Sequence, residues 1–297
     1  MDFASLEPLP GGWSGETFVA RVGTGELQVV RIHARNPGRA EVDAALLRLV
    51  RGLLPVPEVL EVRRAVGELP ALLVTSYLPG ERGDLVLPRL GADDQAVLGG
   101  HVGELAAALS WMPQPRAGEF VGVVDGDLTL RSFALPDGLV GAATSALASA
   151  LEHWASDEGE GLLEMADLAD ELLDGAGRAC LVHSDLNPKN LLVDPDTLEI
   201  TGLVDWEYAH AGLPSVDLGN VLRFDRHPAY AEGVLAAYRE RMPAAESGAD
   251  LLDRARAADL WALVELAVRH GQNPVADRAE RLLRAIAATR DLHASPT

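Results

Sequence analysis

The hydrophobic period of the chain changes once, at Tyr77-Leu78-Pro79-Gly80, and that switch narrows the possible folds more than any other feature. Before it stand four short runs, Thr17–Val22, Leu27–Ile32, Val59–Val66 and Leu72–Tyr77, rich in Val and Leu and separated by Gly, Pro and charged turns. That pattern predicts a small antiparallel sheet. One helix interrupts it: Ala40–Leu53 places Val42, Ala45, Leu46, Leu49 and Leu53 three or four residues apart and stops before Pro55 and Pro57. After the switch the period is helical, over Ala92–Met112, Leu139–Ala155, Gly161–Leu173, Tyr230–Arg241, Leu251–His270 and Ala276–Leu292. A lone hairpin, Leu191–Val193 and Ile200–Val204 around Asp194-Pro195-Asp196, is the exception. The expected architecture is α+β, with a small sheet lobe over 1–79 and a larger, mainly α-helical lobe over 80–297.

Composition removes several function classes. The 297 residues are 48% hydrophobic and 24% charged, which is globular rather than disordered. Lys and Arg number 25 against 45 Asp and Glu, a net charge of −20, so phosphate backbones and anionic lipid are repelled. No nucleic-acid or membrane partner is expected; the same acidity leans mildly toward a cationic small molecule. The single Cys180 can form neither an intramolecular bridge nor a thiolate metal cluster. The first residues lack the basic start and apolar run of a secretory signal, and no apolar stretch reaches the roughly 18 residues that span a bilayer. A cytoplasmic protein is expected.

The chemistry concentrates between Leu181 and Glu207. Apolar runs flank a polar loop carrying His183, Asp185 and Asn190, and the following strand ends in Asp205-Trp206-Glu207. Elements buried on both sides hold such a loop in place beside a cleft. Phosphoryl transfer from a nucleotide needs this set: one carboxylate to orient and deprotonate the attacking hydroxyl, and Asn and Asp oxygens to hold Mg²⁺ against the phosphates. Asp185 is assigned as the base, Asn190 and Asp205 as metal ligands, Glu207 as support for a second ion, and His183 as a brace of the loop. Turn and cap roles also suit Asp and Asn, but do not account for all three at this joint spacing.

His183-x-Asp185-x-x-x-x-Asn190 followed by Asp205-Trp206-Glu207 resembles the catalytic and metal-binding signatures of the aminoglycoside phosphotransferase and choline kinase-like family, relatives of the protein kinases. Ala211-Gly212-Leu213-Pro214-x-x-Asp217-Leu218 resembles its next motif, in which the later aspartate supports the catalytic loop. The resemblance is strongest over Leu181–Arg223 and implies a two-lobed protein-kinase-like fold, ATP or another nucleoside triphosphate with Mg²⁺, and a small hydroxylated acceptor. Ser184 departs from the glycine often found there. Lys189 is open between a γ-phosphate contact and a solvated lysine.

Upstream, the resemblance implies phosphate binding by the glycine-rich turn Gly11–Glu16, through Ser14 and Gly15, and adenine binding by the hinge, through the main chain about Ser76 and Leu78. Arg31 stands where kinases usually place the phosphate-gripping lysine, and it keeps the charge with a different geometry. Its partner on the helix is expected to be Glu41, with Asp43 the rival. Asp259, Trp261 and Glu265 are candidates for the acceptor pocket or ordinary helix residues, His210 is open between cleft and turn, and Trp111 and Trp154 read as core.

The expected activity is therefore transfer of a phosphoryl group to a hydroxyl of a small molecule, an aminoglycoside or other antibiotic by family frequency, with a metabolic kinase of choline, amino sugar, fructosamine or homoserine type as the alternative. A noncatalytic nucleotide-binding module has Arg31 as its only support. A protein kinase is disfavoured, because no Ala-Pro-Glu segment follows Asp205.

Overall fold

Alternation in the first eighty residues produces one antiparallel sheet. Strands β1 (Phe3–Pro8), β2 (Glu16–Val22) and β3 (Leu27–His33), helix α1 (Arg39–Val50), and strands β4 (Val59–Arg63) and β5 (Ala71–Ser76) follow one another, and the strands lie in the order β1-β2-β3-β5-β4. The computed structural model describes residues 3–9, 16–23, 25–133, 138–175, 177–244 and 246–295. Strand β1 was not expected; it lies at the sheet edge, where a residue such as Pro8 without an N–H is tolerated. In β3, Arg31 pairs with Thr17 on one side and Leu73 on the other, and its side chain shares a face with that of His33, two residues on.

After this sheet come β6 (Glu81–Arg82), α2 (Gly83–Val86), α3 (Ala92–Ser110), β7 (Gly118–Val124) and β8 (Asp127–Arg131). Helices α4 (Gly138–Leu147) and α5 (Ser156–Leu173) precede β9 (Cys180–Val182), β10 (Leu191–Val193), β11 (Ile200–Leu203) and β12 (His210–Gly212). Helices α6 (Ser215–Leu222), α7 (Pro228–Arg241), α8 (Leu251–Ala267) and α9 (Pro274–Thr289) complete it. The predicted hairpin is β10–β11, extended by β6, but it is not alone: β8-β7-β12-β9 form a second sheet. The missed β7–β8 hairpin turns at Asp125-Gly126, both at positive φ (51° and 93°), which is the dipeptide two-residue hairpins favour. Helix α4 ends at Leu147 rather than near Ala155, where the Ser149 hydroxyl bonds back to the Ser145 carbonyl.

Helices α3 and α7 meet backbone to backbone. A Cβ on Gly99 would collide with the Tyr230 carbonyl oxygen and one on Gly103 with that of Val234, so the glycines are required by proximity. The largest core runs from α1 (Leu46) and β5 (Leu73) through α3 (Leu105) and β7 (Phe120) to β10 (Leu191) and Trp206, joining the lobes. A second core lies among α4, α5, α8 and α9 around Leu139, Leu162, Leu260 and Leu282. Trp154 belongs to it, whereas Trp111 is half exposed at the end of α3, its ring covered by Arg178 and its Nε1 donating to the Arg241 carbonyl. Among the described residues no helix is long and apolar enough to cross a membrane.

Candidate active site

Strand β9 delivers the loop His183–Asn190, and α6 holds it from below. The Asp217 carboxylate accepts from the N–H groups of His183 (2.9 Å) and Ser184 (2.8 Å), and the Asn220 amide donates to the Ser184 carbonyl (3.0 Å). Complete burial pushes the Asp217 carboxyl up to about 7, against the pull of those two amides. Ser184 sits at φ 64°, the left-handed region, which accounts for the preference for glycine there. Ser184→Gly should therefore raise unfolding free energy by about 0.5–1 kcal/mol, strain relief exceeding the added entropy of the unfolded chain. A urea midpoint that falls instead would show that Ser184 is not strained.

His183 links this loop to the next one. It is fully buried, and burial pulls its pKa down, so the ring is neutral. The Asp185 N–H donates to Nδ1 (3.3 Å), which leaves the proton on Nε2 to donate to the Val204 carbonyl (3.1 Å); this tautomer is assigned from the bonding pattern. The ring also sits edge-on to Trp206, and the Val204 N–H donates to the Asn190 carbonyl (3.0 Å). Asp205 thereby follows directly on Val204, a residue tied to both ends of the loop.

Asp185 is gripped at both oxygens. Asn187 Nδ2 donates to Oδ1 (2.6 Å), Asn190 Nδ2 donates to Oδ2 (2.7 Å), and Lys189 Nζ stands 3.4 Å from Oδ2. Because Asn190 Nδ2 also donates to the Asp185 carbonyl, its amide orientation is determined and Oδ1 points the other way. Asn187 was missed in the sequence; its position before Pro188, where it caps the short turn Pro188–Asn190, is the signal that marks it.

Asp205 takes φ 67° and ψ 62°, and this left-handed residue turns the chain from β11 into Trp206–Tyr208. Across the cleft, Arg31 Nη1 donates to Asp205 Oδ1 (2.9 Å) and Nη2 to Glu207 Oε2 (2.6 Å). Glu41 is not where the sequence reading put it. Its carboxylate pairs with Arg64 (2.6 Å) on the outer side of α1, while Asp43, one helical step round, turns inward. Asp43 accepts from Arg39 Nε (2.6 Å), and Arg39 Nη2 donates to the Trp206 carbonyl (2.5 Å), so α1 is tied to the Asp205 turn. Burial lowers the pKa of Arg31, but the charges of Asp205, Glu207 and Asp43 outweigh it and the net shift is upward. His33, buried beside Arg31 and Arg39, is pushed down to about 4 and is neutral at physiological pH.

A cavity of about 560 Å³ opens beside the loop, lined by Arg39, Glu119, Phe133, Ser184, Glu207, Tyr208, His210 and Glu265. His210 thus faces the cleft; burial lowers its pKa, and its Nδ1 donates to the Tyr208 carbonyl (3.0 Å). Glu119, on the missed hairpin, was not singled out in the sequence. Of the α8 candidates only Glu265 reaches this cavity. Asp259 is buried in a pair with Arg223 (Nη2–Oδ1 2.7 Å), and Trp261 packs against the C-terminal core. In the segment expected from the sequence to be a hinge, the Ser76 N–H is committed to the Glu58 carbonyl (2.8 Å) and its hydroxyl accepts from the Glu58 N–H (2.9 Å). Leu78 follows outside the sheet, and Thr201 Oγ1 donates to the Pro79 carbonyl (2.6 Å), fastening this segment to β11. Ser14 and Gly15 lie outside the described residues.

A family model described as the phosphotransferase enzyme family, APH, matches residues 5–252. The chain belongs to this family. Solved structures of aminoglycoside phosphotransferases share its two-lobed kinase-like fold. A putative aminoglycoside phosphotransferase from Ralstonia eutropha aligns at TM-score 0.69 and 18% identity, over 96% of this chain and 90% of that one. Aminoglycoside phosphotransferase APH(4)-Ia aligns at 0.68 and 19%, over 96% and 94%. Wild-type aminoglycoside 2'-phosphotransferase-IIIa in its GDP complex aligns at 0.65 and 16%, over 98% and 94%. No curated protein matches the chain. Family membership makes this chain a phosphotransferase scaffold, and within it Arg39 and Asp43 tie α1 to the loop that carries Asp205 and Glu207.

Proposed function

We infer that the protein transfers the γ-phosphoryl group of ATP, or of another nucleoside triphosphate, to a hydroxyl of a small cationic molecule. The observation that carries this reading is the tie between the Asp185–Asn190 loop and the Asp205 turn, made by His183 to the Val204 carbonyl and by the Val204 N–H to Asn190, beside a cavity that Ser184 and Glu207 line. The donor chemistry suits Mg²⁺. Asn190 Oδ1 and the carboxylates of Asp205 and Glu207 are hard oxygen ligands, and among the described residues no three His, Cys, Asp or Glu side chains form a protein cage. That is the pattern for a cation held by one or two carboxylates together with nucleotide phosphates. A cation, the Arg31 guanidinium, already occupies the two carboxylates.

Once bound, the metal–nucleotide complex supplies the phosphoryl group and the charge that draws it to the acceptor. The chain does the rest. Asp185, its oxygens aimed by the Asn187 and Asn190 amides, orients the acceptor hydroxyl and takes its proton. Asp217 holds the loop through two main-chain amides, and His183 keeps its distance to Asp205 constant. Leu78, in the hinge that closes the 1–79 lobe, offers its main chain to the base, whereas the N–H of Ser76 is spent in the sheet. Glu265 gives the cavity a carboxylate that favours an amine-bearing acceptor, whereas Glu119 is paired with Arg131 (2.6 Å) and Glu207 with Arg31. A thermostable mutant of APH(4)-Ia has been solved with AMP-PNP and hygromycin B, at 19% identity and TM-score 0.68 over 97% of this chain and 95% of that one, which supports the same acceptor class.

The test is an ATP-consumption screen across aminoglycosides, macrolides, tuberactinomycin-type peptides, amino sugars and choline, with the Asp185→Ala chain as blank. Consumption stimulated by one acceptor and absent in the blank is expected; none with any acceptor, together with no nucleotide binding, would overturn the reading. Asp205→Ala should weaken Mg²⁺-dependent ATP binding at least tenfold, about 1.4 kcal/mol. Unchanged binding by calorimetry would remove Asp205 from the metal site.

A further inference from the structure

Arg31 touches the metal acids themselves. Its Nη1 and Nη2 meet Asp205 and Glu207 at 2.9 and 2.6 Å, with side-chain exposures of 17% for the arginine and 26% and 14% for the acids. A compact lysine ammonium would meet one such carboxylate as a point charge; the planar fork of a guanidinium spans two. These half-buried, charge-assisted bonds are of the strong kind. A divalent cation needs the same carboxylate oxygens at about 2.0–2.1 Å, well inside the space the guanidinium nitrogens fill. Guanidinium and metal are therefore competitors for Asp205 Oδ1 and Glu207 Oε2.

We propose that Arg31 is a positioning residue that closes the metal site until nucleotide phosphates draw its guanidinium away, so that metal and triphosphate bind as one unit and metal alone is refused. The proposal rests on the assignment of Asp205 as a metal ligand. The exchange conserves ion pairs: the guanidinium passes from two carboxylates to phosphate oxygens, and the carboxylates pass to the metal. Without phosphates, metal entry strips a largely buried cation of the two carboxylates it bonds and, of the three acids that act on it, leaves Asp43. Strand β3 fixes the starting point, because Arg31 is paired on both sides in the sheet and only its side chain can swing.

The experiment is a Mn²⁺ titration of the nucleotide-free protein, followed by the signal of free Mn²⁺ in electron paramagnetic resonance, on the native chain, Arg31→Met and Arg31→Lys. AMP-PNP binding is measured in parallel by calorimetry with Mn²⁺ in excess. The native chain should bind AMP-PNP with Mn²⁺ yet take up Mn²⁺ alone only weakly. Arg31→Met should bind Mn²⁺ alone at least tenfold more tightly than native, and Arg31→Lys should fall between. A merely structural role for Arg31 would lower Mn²⁺ uptake or leave it unchanged, never raise it. The inference is overturned if native and Arg31→Met bind Mn²⁺ alone equally, or if the native chain binds Mn²⁺ alone as tightly as with AMP-PNP. If Arg31→Met does not fold, the native and Arg31→Lys titrations decide the question in the same way. Absence of AMP-PNP binding by the native chain, in contrast, overturns the metal–nucleotide reading and the proposal with it.

Discussion

Asp185→Ala should lower kcat by about 10²–10⁴-fold, the range for a positioned general base, while ATP affinity stays within a few-fold of native. The split follows from geometry. Asp185 receives the amides of Asn187 and Asn190 and the ammonium of Lys189 at 3.4 Å, all of which hold or neutralise its carboxylate, and Asp205 carries the metal assignment in its place. Single-turnover phosphoryl transfer gives the rate and calorimetry gives the ATP affinity. Turnover retained in the variant would remove Asp185 as base; a large loss of ATP affinity with it would move Asp185 into the metal shell. Asn187→Ala frees one oxygen of Asp185 without removing it, so its effect on kcat should be smaller and in the same direction.

The second large effect is on stability. Asp259→Ala should cost about 3–5 kcal/mol of unfolding free energy, because it leaves the Arg223 guanidinium buried without its counter-charge. The pair is made by three bonds, Nε to Oδ1 (3.0 Å) and Oδ2 (3.1 Å) and Nη2 to Oδ1 (2.7 Å), between residues that are only 6% and 2% exposed. Replacing both partners, Arg223→Met with Asp259→Ala, should recover most of that loss, since an apolar pair leaves no bare charge. Urea unfolding of the two single variants and the double variant measures it. Equal stability of Asp259→Ala and native would show the pair to be solvated. Because Arg223 caps the end of α6, and α6 carries Asp217 beneath the His183–Asn190 loop, the single variant should also lose activity before it unfolds.

Both effects start from residues that were visible in the sequence, but the two were legible to different degrees. Asp185 and Asn190 could be placed near each other because a loop between short strands holds its spacing, so distance along the chain translates into distance in space; Asp217, on α6, was reached only through the family resemblance. Asp259 could not be: a carboxylate on a helix is exposed or buried according to the face it turns, and the close approach of α6 and α8, where a Cβ on Gly219 would strike the Ala255 carbonyl and the Asp259 side chain, decides that face. Glu41 was misplaced for the same reason. It and Asp43 are two residues apart on α1 and lie on different sides of it, and only tertiary packing put Asp43 on the side of Arg31 and His33 of β3. The β7–β8 hairpin, which contributes Glu119 to the cavity, carried its Asp-Gly signal openly but sat between two predicted helices in a mainly helical region.

By itself the sequence determined the α+β class, the first sheet's β2, β3, β4 and β5 and the β10–β11 hairpin, because hydrophobic period and turn chemistry act over a few neighbouring residues. Tertiary structure alone decided what Arg31 touches. Its partner Asp205 lies 174 residues away, and no local pattern in β3 records which acid a folded cleft will bring to a guanidinium. Charge pairing across that distance is set by how the two lobes close on each other, and that closure is a property of the whole packed core.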